Sequence, residues 1–353
     1  MATERERTRC RERLEQLSQS SLDRESIQHE AIAELRRVIG FHRWCWPVAD
    51  PDTLIPLGAA IELDFGPAVP LSLALEFSGH DVAAMDVLAR RINPAASLSA
   101  ETRGDLPGSP RWREVLRPVG IGDEAMVACR DPLGCWGWIK VYRDSDERPF
   151  DDEDLRLLST IGSWMGSALR RKTYPSQPGL PESRPPGVII LGSDLSVVSL
   201  TGGARDWIGT FPSAYLYFAF GILPAMVYPA ATLARSRTRA GQAHALERAV
   251  DGRWVMIEAA VLEGGADGQV AVTFRQATPT ETFDRLSRIY ALSPREREVV
   301  VALLEGLDTR AVTERLFISR HTVQDHLKSV FGKVGVHSRR ELLATFSASA
   351  GAT

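Results

Sequence analysis

Residues 292–342 read LSPREREVVVALLEGLDTRAVTERLFISRHTVQDHLKSVFGKVGVHSRREL. Four short amphipathic segments follow one another here, each with its own start signal. Ser293-Pro294-Arg295-Glu296 is a capping box with proline at the first helical position, so orphan amides are satisfied where the apolar run Val299 to Leu304 begins. Gly306 supplies the left-handed residue that ends this helix. Asp308 caps a second helix, in which Val312 and Leu316 lie four apart, and Phe317-Ile318 leaves room only for a tight corner.

Ser319 caps the third segment. Val323, Leu327, Val330 and Val334 fall at i, i+4, i+7 and i+11 and form its buried stripe. His321, Gln324, Asp325 and Lys328 lie on the opposite face. A helix packed on two others that shows long hydrogen-bonding side chains outward has the form needed to enter a major groove. Gly335 stops it, and Ser338-Arg339-Arg340-Glu341 starts a last helix through Leu342, Leu343 and Phe346.

These residues resemble the LuxR-type, or NarL/FixJ-type, helix-turn-helix almost from end to end. The marks of that family are present as Ser293-Pro294-Arg295-Glu296, Gly306, Ile318-Ser319, Thr322-Val323, His326, Lys333 and Gly335. Thr309 to Thr313 departs from the family's usual Asn-Lys-Glu-Ile-Ala. Gln324-Asp325 departs too, since a lysine often stands at its first position. The resemblance implies that Gln324, Asp325 and Lys328 meet base edges and that Arg320, Thr322, Lys333 and Arg339 sit near phosphates. It implies as partners double-stranded promoter DNA, a second copy of the chain as a homodimer, and RNA polymerase.

The chain has 353 residues, enough for two sensory domains before the small terminal one, and 44% of them are hydrophobic. Its net charge is −3, but Ser287 to Thr353 holds ten Lys/Arg against seven Asp/Glu, so this end carries +3 and the remainder −6. That sign suits a DNA-binding tail on an acidic body. Cys10, Cys45, Cys129 and Cys135 form no C-x-x-C pair or zinc spacing, and no signal peptide opens the sequence. The expected location is therefore the cytoplasm, with buried inert thiols a plainer reading than a redox sensor at Cys45 or Cys135.

Outward from the carboxy-terminal segment, the expected architecture is α+β and multidomain: α/β sensory domains followed by an all-α four-helix bundle. Residues 1–21 read as an exposed helix or frayed tail rich in Arg and Glu. Over 22–173, a helix from Asp23 to Gly40, strands at Trp44–Pro47 and Ile61-Glu62-Leu63, and a hairpin across Asp131-Pro132-Leu133-Gly134 precede a long helix opened by Phe150-Asp151-Asp152-Glu153-Asp154. Leu155, Leu158, Ile161, Met165 and Leu169 make that helix's stripe. Strands between two flanking helices, closed by F-D-D-E-D-L-R-L-L, resemble a GAF sensory domain.

Residues 174–186 contain five prolines and read as a linker. Over 187–278, two strands, a helical middle and three strands follow in the order of a PAS-like domain. Residues 279–291 then connect to the terminal domain at 292–353. An unknown small-molecule effector or a partner is the expected input to the sensory region.

Trp207 to Ala234 carries no charge and is followed by Arg235, Arg237 and Arg239, the pattern of a spanning helix with a positive flank. Pro212, Pro224, Pro229 and Gly221 divide it into short pieces, so an apolar wall of the PAS-like domain is the better reading and membrane insertion the poorer. There is no G-x-x-x-x-G-K-[ST], H-E-x-x-H or nucleophile elbow, and His29, His42, His80 and His244 stand singly. No catalytic residue, metal ligand set or cofactor is expected. The alternative is a membrane-associated sensor, or an enzyme whose first 280 residues carry the chemistry.

Overall fold

The computed structural model describes residues 2–62, 65–173, 184–236, 239–264 and 268–347. Leu63 of the expected returning strand lies outside the described residues, as do 174–183 of the proline-rich linker and 348–353 of the terminal domain. The described residues fall into two compact units. The first draws on Met1–Thr173, Pro186–Glu247 and Met256–Phe274, and the second on Tyr174–Pro185, Arg248–Val255 and Arg275–Thr353.

In the first unit, α1 (Glu4–Gln19) opens on a capping box of Thr3 with Glu6 and packs on α2 (Arg24–Ile39) and α6 (Asp152–Thr173). The amino-terminal helix is thus docked, correcting the expectation of an exposed or frayed segment. Arg7, Cys10, Leu14 and Ser18 recur along one buried face, and the Arg7 guanidinium reaches Asp154 in the first turn of α6 at 3.1 Å. Seen alone, those arginines and glutamates give no sign that one is paired 147 residues away.

Strands β1 (Arg43–Ala49), β2 (Pro56–Ile61), β3 (Ala95–Ser97), β4 (Ile121–Asp131) and β5 (Gly134–Asp144) form an antiparallel sheet in the order β2-β1-β5-β4-β3. Between β2 and β4 the chain makes short helices α3 (Val69–Phe77), α4 (Met85–Leu88) and α5 (Leu98–Glu101). The prolines and glycines of that stretch hide them from a periodicity reading. Helix α6 lies on β4, burying Leu158, Ile161, Met165 and Leu169, while Leu155 is half-buried. A Cβ at Gly166 would stand 2.5 Å from the Arg130 backbone nitrogen, so the closeness of this packing requires glycine there.

Inside this unit Arg111 is fully buried and binds Asp81 at 2.8 Å and Glu124 at 2.9 Å, while Lys140 pairs with Glu76 and lies 3.4 Å from Glu124. Burial pushes the Glu124 carboxyl up, but Arg111 and Lys140 reverse this and hold it below its ordinary range. Two cations, Arg111 and Lys140, stand among three carboxylates, Glu76, Asp81 and Glu124, so each charge has a counter-charge within reach, which is how so many survive away from water. Burial also raises the thiols, Cys10 to about 11 and Cys45 and Cys135 to about 12, so they behave as small hydrophobes.

The second sheet comprises β6 (Gly187–Leu191), β7 (Val197–Leu200), β8 (His244–Arg248), β9 (Trp254–Val261) and β10 (Val270–Gln276), in the order β7-β6-β10-β9-β8. Both sheets therefore follow one pattern, second-first-fifth-fourth-third in chain order. Helices α7 (Gly202–Ile208), α8 (Ala214–Phe220) and α9 (Val227–Ala234) lie between β7 and β8, the last two within the uncharged stretch. Among the described residues no helix is long and apolar enough to cross a membrane. Instead α9 is buried, packs on α3, and has the Tyr228 hydroxyl accepting the Leu223 N–H at 2.8 Å. Asp50, in the β1–β2 turn, accepts the Leu246 N–H of edge strand β8 at 2.7 Å, and Arg239 donates to Asp86 at 2.7 Å.

In the second unit α10 (Pro279–Ile289) occupies what reads from sequence as a bare connector. Thr278 and Glu281 form its capping box, and Arg275 grips Glu281 through both carboxylate oxygens at 2.8 and 2.9 Å. These bonds hold the Glu281 carboxyl down at about 2. The helix is followed by α11 (Pro294–Leu304), α12 (Thr309–Leu316), α13 (Arg320–Val334) and α14 (Arg339–Ser347). Phe346 of α14 meets the rings of Phe283 and Tyr290 at 5.5 and 6.1 Å, fastening α10 to the end of the bundle.

Candidate nucleic-acid interface

Each expected cap is made. Ser293 accepts the Glu296 N–H at 3.3 Å while Glu296 accepts the Ser293 N–H at 2.6 Å. Asp308 accepts from Ala311 at 2.8 Å and Ser319 from Thr322 at 3.1 Å. The corner between α12 and α13 turns on Phe317, which has φ 53° and is 94% exposed. A left-handed backbone at a residue with a side chain costs energy, so the rest of the bundle must hold this turn.

Helix α13 sorts its faces as the spacing implies, with one exception. Val323, Val330 and Val334 are buried. Leu327 is only half-buried and, with Phe331 and Val336, lines an apolar depression beside Gln324 and Lys328. Arg320, His321, Gln324, Asp325 and Lys328 are exposed together on the outer side. His321 Nε2 lies 3.6 Å from the Asp325 carboxylate, one turn along. His326 is half-buried in the bundle.

The remaining expected contact residues sit differently. Thr322 faces Ser319, hydroxyl to hydroxyl, at 2.9 Å. Arg339, at the start of α14, donates to the Leu307 carbonyl at 2.5 Å. Lys333, at the far end of α13, donates to the Glu296 carboxylate at 2.6 Å and to the Ala291 carbonyl at 2.9 Å, so its ammonium is engaged within the domain.

Glu296 emerges as the centre of this arrangement. It closes the cap of α11 with one oxygen, accepts from the Ser329 hydroxyl at 2.6 Å with the other, and receives Lys333. Burial pushes its carboxyl up, yet the bonds from Lys333, Ser329 and Ser293 bring it down to about 2. The capping box announces Glu296 as a local cap. Its grip on a helix 33 and 37 residues later has no signal in the sequence.

The family model described as bacterial regulatory proteins, luxR family, matches residues 290–346. The segment is a LuxR-type helix-turn-helix domain. Among relatives, the probable transcriptional regulator GfsR of Streptomyces halstedii is 36% identical over 83 residues, covering 23% of this chain and 34% of GfsR. A putative transcriptional regulator in the exeN 3′ region of Aeromonas salmonicida is 42% identical over 71 residues, 20% of this chain and 33% of that protein. The matches therefore span about a third of each relative's length and say nothing of the two sheets.

Among solved structures, Escherichia coli SdiA is similar over 97% of both chains, but with 14% identity and a TM-score of 0.35. That likeness is too slight to carry an argument.

Proposed function

We propose that this chain is a DNA-binding transcription regulator that binds promoter DNA as a homodimer in the cytoplasm and contacts RNA polymerase there. The observation that carries the reading is the single outer face of α13, where Gln324, Asp325 and Lys328 stand exposed within little more than one turn of a helix fixed by its buried valines. In this reading these three meet base edges: the amide of Gln324 suits adenine, the ammonium of Lys328 guanine, and the Asp325 carboxylate the amino group of cytosine. Arg320, Thr322 and Arg339 are assigned to phosphates. Lys333 is assigned first to bracing α13, and the salt dependence of its variant decides whether it also reaches a phosphate.

The shared strand order of the two sheets supports reading residues 22–173 as a GAF-like domain and 187–278 as a PAS-like domain, with the chain's own effector, a small molecule or a partner, as input. Capped helix α10 supports a route from the sensory region to the DNA-binding domain that is stiff enough to carry a bias. Footprinting of the full chain on genomic fragments selected by its own binding tests the reading. Two protected half-sites about one helical turn apart, with affinity that falls steeply with salt, are the expected result. Protection of one half-site by a monomer at saturating concentration would overturn it.

A further inference from the structure

Helices α1 and α6, with the loop that precedes β3, enclose a cleft of about 510 Å³ whose lining runs from the exposed Arg156 to the buried Arg7. Arg7 is 3% exposed, and its Nε and Nη1 have no hydrogen-bond acceptor among the described residues. The Nε stands 3.4 Å from Glu153 Oε2, near enough for attraction but not aligned as a hydrogen bond. Its Nη2 donates to Asp154, and that fully buried carboxylate also holds Arg143 and Arg148 at 3.0 and 3.5 Å. Arg11, one turn along α1, repeats the arrangement: Nη2 donates to Glu4 at 2.6 Å, while Nε is buried without an acceptor among the described residues. Buried guanidinium N–H groups left unmet cost free energy, so a polar cleft that collects three of them points to an acceptor that belongs there.

The rest of the lining narrows the chemistry of that acceptor. With Arg156, three cations line the cleft against two carboxylates, Glu4 and Glu153, a surplus of one positive charge. A water can satisfy an orphan N–H but does not answer the surplus charge. Asn93 Oδ1 accepts the Ala95 N–H at 3.2 Å, which leaves the NH₂ of that side chain to donate. Its loop is held in place by Arg130, which donates to the Ala89 and Ile92 carbonyls at 3.2 and 2.7 Å. Donors supplied from α1, α6 and this loop suit the several oxygens of a tetrahedral phosphate better than a planar carboxylate, which one guanidinium fork satisfies. The cleft is larger than inorganic phosphate fills and has the size of a small-molecule site. Leu157 is the one aliphatic side chain in its lining, so the body of the ligand is polar as well.

We infer that this cleft binds the phosphate monoester of a small hydroxylated molecule, a sugar or polyol phosphate, with Arg7, Arg11 and Arg156 on the phosphate and Asn93 and Ser159 on the hydroxyls. The inference draws nothing from the DNA-binding reading, so either can fail alone.

Titration calorimetry of the full chain, without DNA and at constant ionic strength, tests it with glycerol 3-phosphate as the probe. One molecule should bind per chain, more tightly than inorganic phosphate, and glycerol and succinate should give no saturable heat. Arg156→Gln should weaken binding roughly tenfold, the loss expected of one charge-assisted bond. Arg9→Gln, at an exposed arginine of α1 outside the cleft, should leave it unchanged. Arg7→Lys keeps a positive charge beside Asp154 but loses the fork, and should weaken binding at least as much as Arg156→Gln.

Because Arg7→Lys can fail by misfolding, its circular dichroism melt is compared with that of the wild type. The Arg7 and Arg11 Nε–H signals are also followed by magnetic resonance in isotope-labelled wild-type chain, where the probe should shift them and slow their exchange with water. Absence of saturable heat from glycerol 3-phosphate at millimolar concentration, succinate binding as tightly as the probe, or Arg9→Gln weakening binding as much as Arg156→Gln would each overturn the inference. So would Nε–H signals of Arg7 and Arg11 that do not respond to the probe.

Discussion

Replacing Glu296 by glutamine should loosen the recognition helix from its support while leaving every cap but one intact. The wild-type carboxylate is 5% exposed and accepts three bonds, from Ser293, Ser329 and Lys333. Its pKa falls from 4.5 to about 2 in the folded chain. A depressed folded pKa contributes stability that is present above the unfolded value and is lost as pH falls toward the folded one. At about 1.4 kcal/mol per unit the contribution is about 3 kcal/mol at neutral pH. Since Lys333 is 35% exposed, solvent screening trims this toward about 2 kcal/mol.

The glutamine keeps an acceptor for Ser293 but turns an NH₂ toward donors, so most of that contribution should go. Hydrogen exchange of the full chain reads it directly: amides of 294–304 and 320–334 should exchange roughly 30- to 150-fold faster in the variant at pH 7. The difference should shrink as pH is lowered from about 4.5 toward 2, because the unfolded chain takes up the proton first and the folded carboxylate gives up its charge only near 2. A change below threefold in both helices, or a difference that persists undiminished at pH 3, refutes the bracing role of Glu296.

Gln324→Ala and Lys328→Ala should each relax preference at particular base pairs by about 1–3 kcal/mol, and Asp325→Ala should raise non-specific binding while discrimination falls. Titrating operator and scrambled duplexes checks all three, and equal weakening on both duplexes would count against base reading. Lys333→Met should weaken binding with little change in salt slope, because its ammonium is spent on Glu296 and Ala291, whereas Arg320→Ala should lower the slope by roughly one. Affinity measured across a salt series separates the two. In the first unit, Arg111→Met leaves Asp81 and Glu124 buried without their guanidinium and should cost about 3–5 kcal/mol, read as a lowered melting temperature with DNA binding by the surviving folded chain unchanged.

The sequence by itself determined the terminal domain nearly to the residue. Caps, stop glycines and the spacing of Val323, Val330 and Val334 are local rules, enforced within one or two helical turns, so Ser293, Asp308 and Ser319 cap where they are read to cap. Alternation and turn residues, which act over a few positions, also marked the β4–β5 hairpin and the strands of the second sheet, but not β3 or the short helices α3 to α5. The tertiary structure alone decided how side chains distant in sequence meet. Arg7 with Asp154, Arg111 with Asp81 and Glu124, and Lys333 with Glu296 are pairs of charges that look solvated when read singly. Their partners are chosen by packing, and a buried charge is stable only where packing has brought its counter-charge within hydrogen-bond reach, which no local pattern encodes.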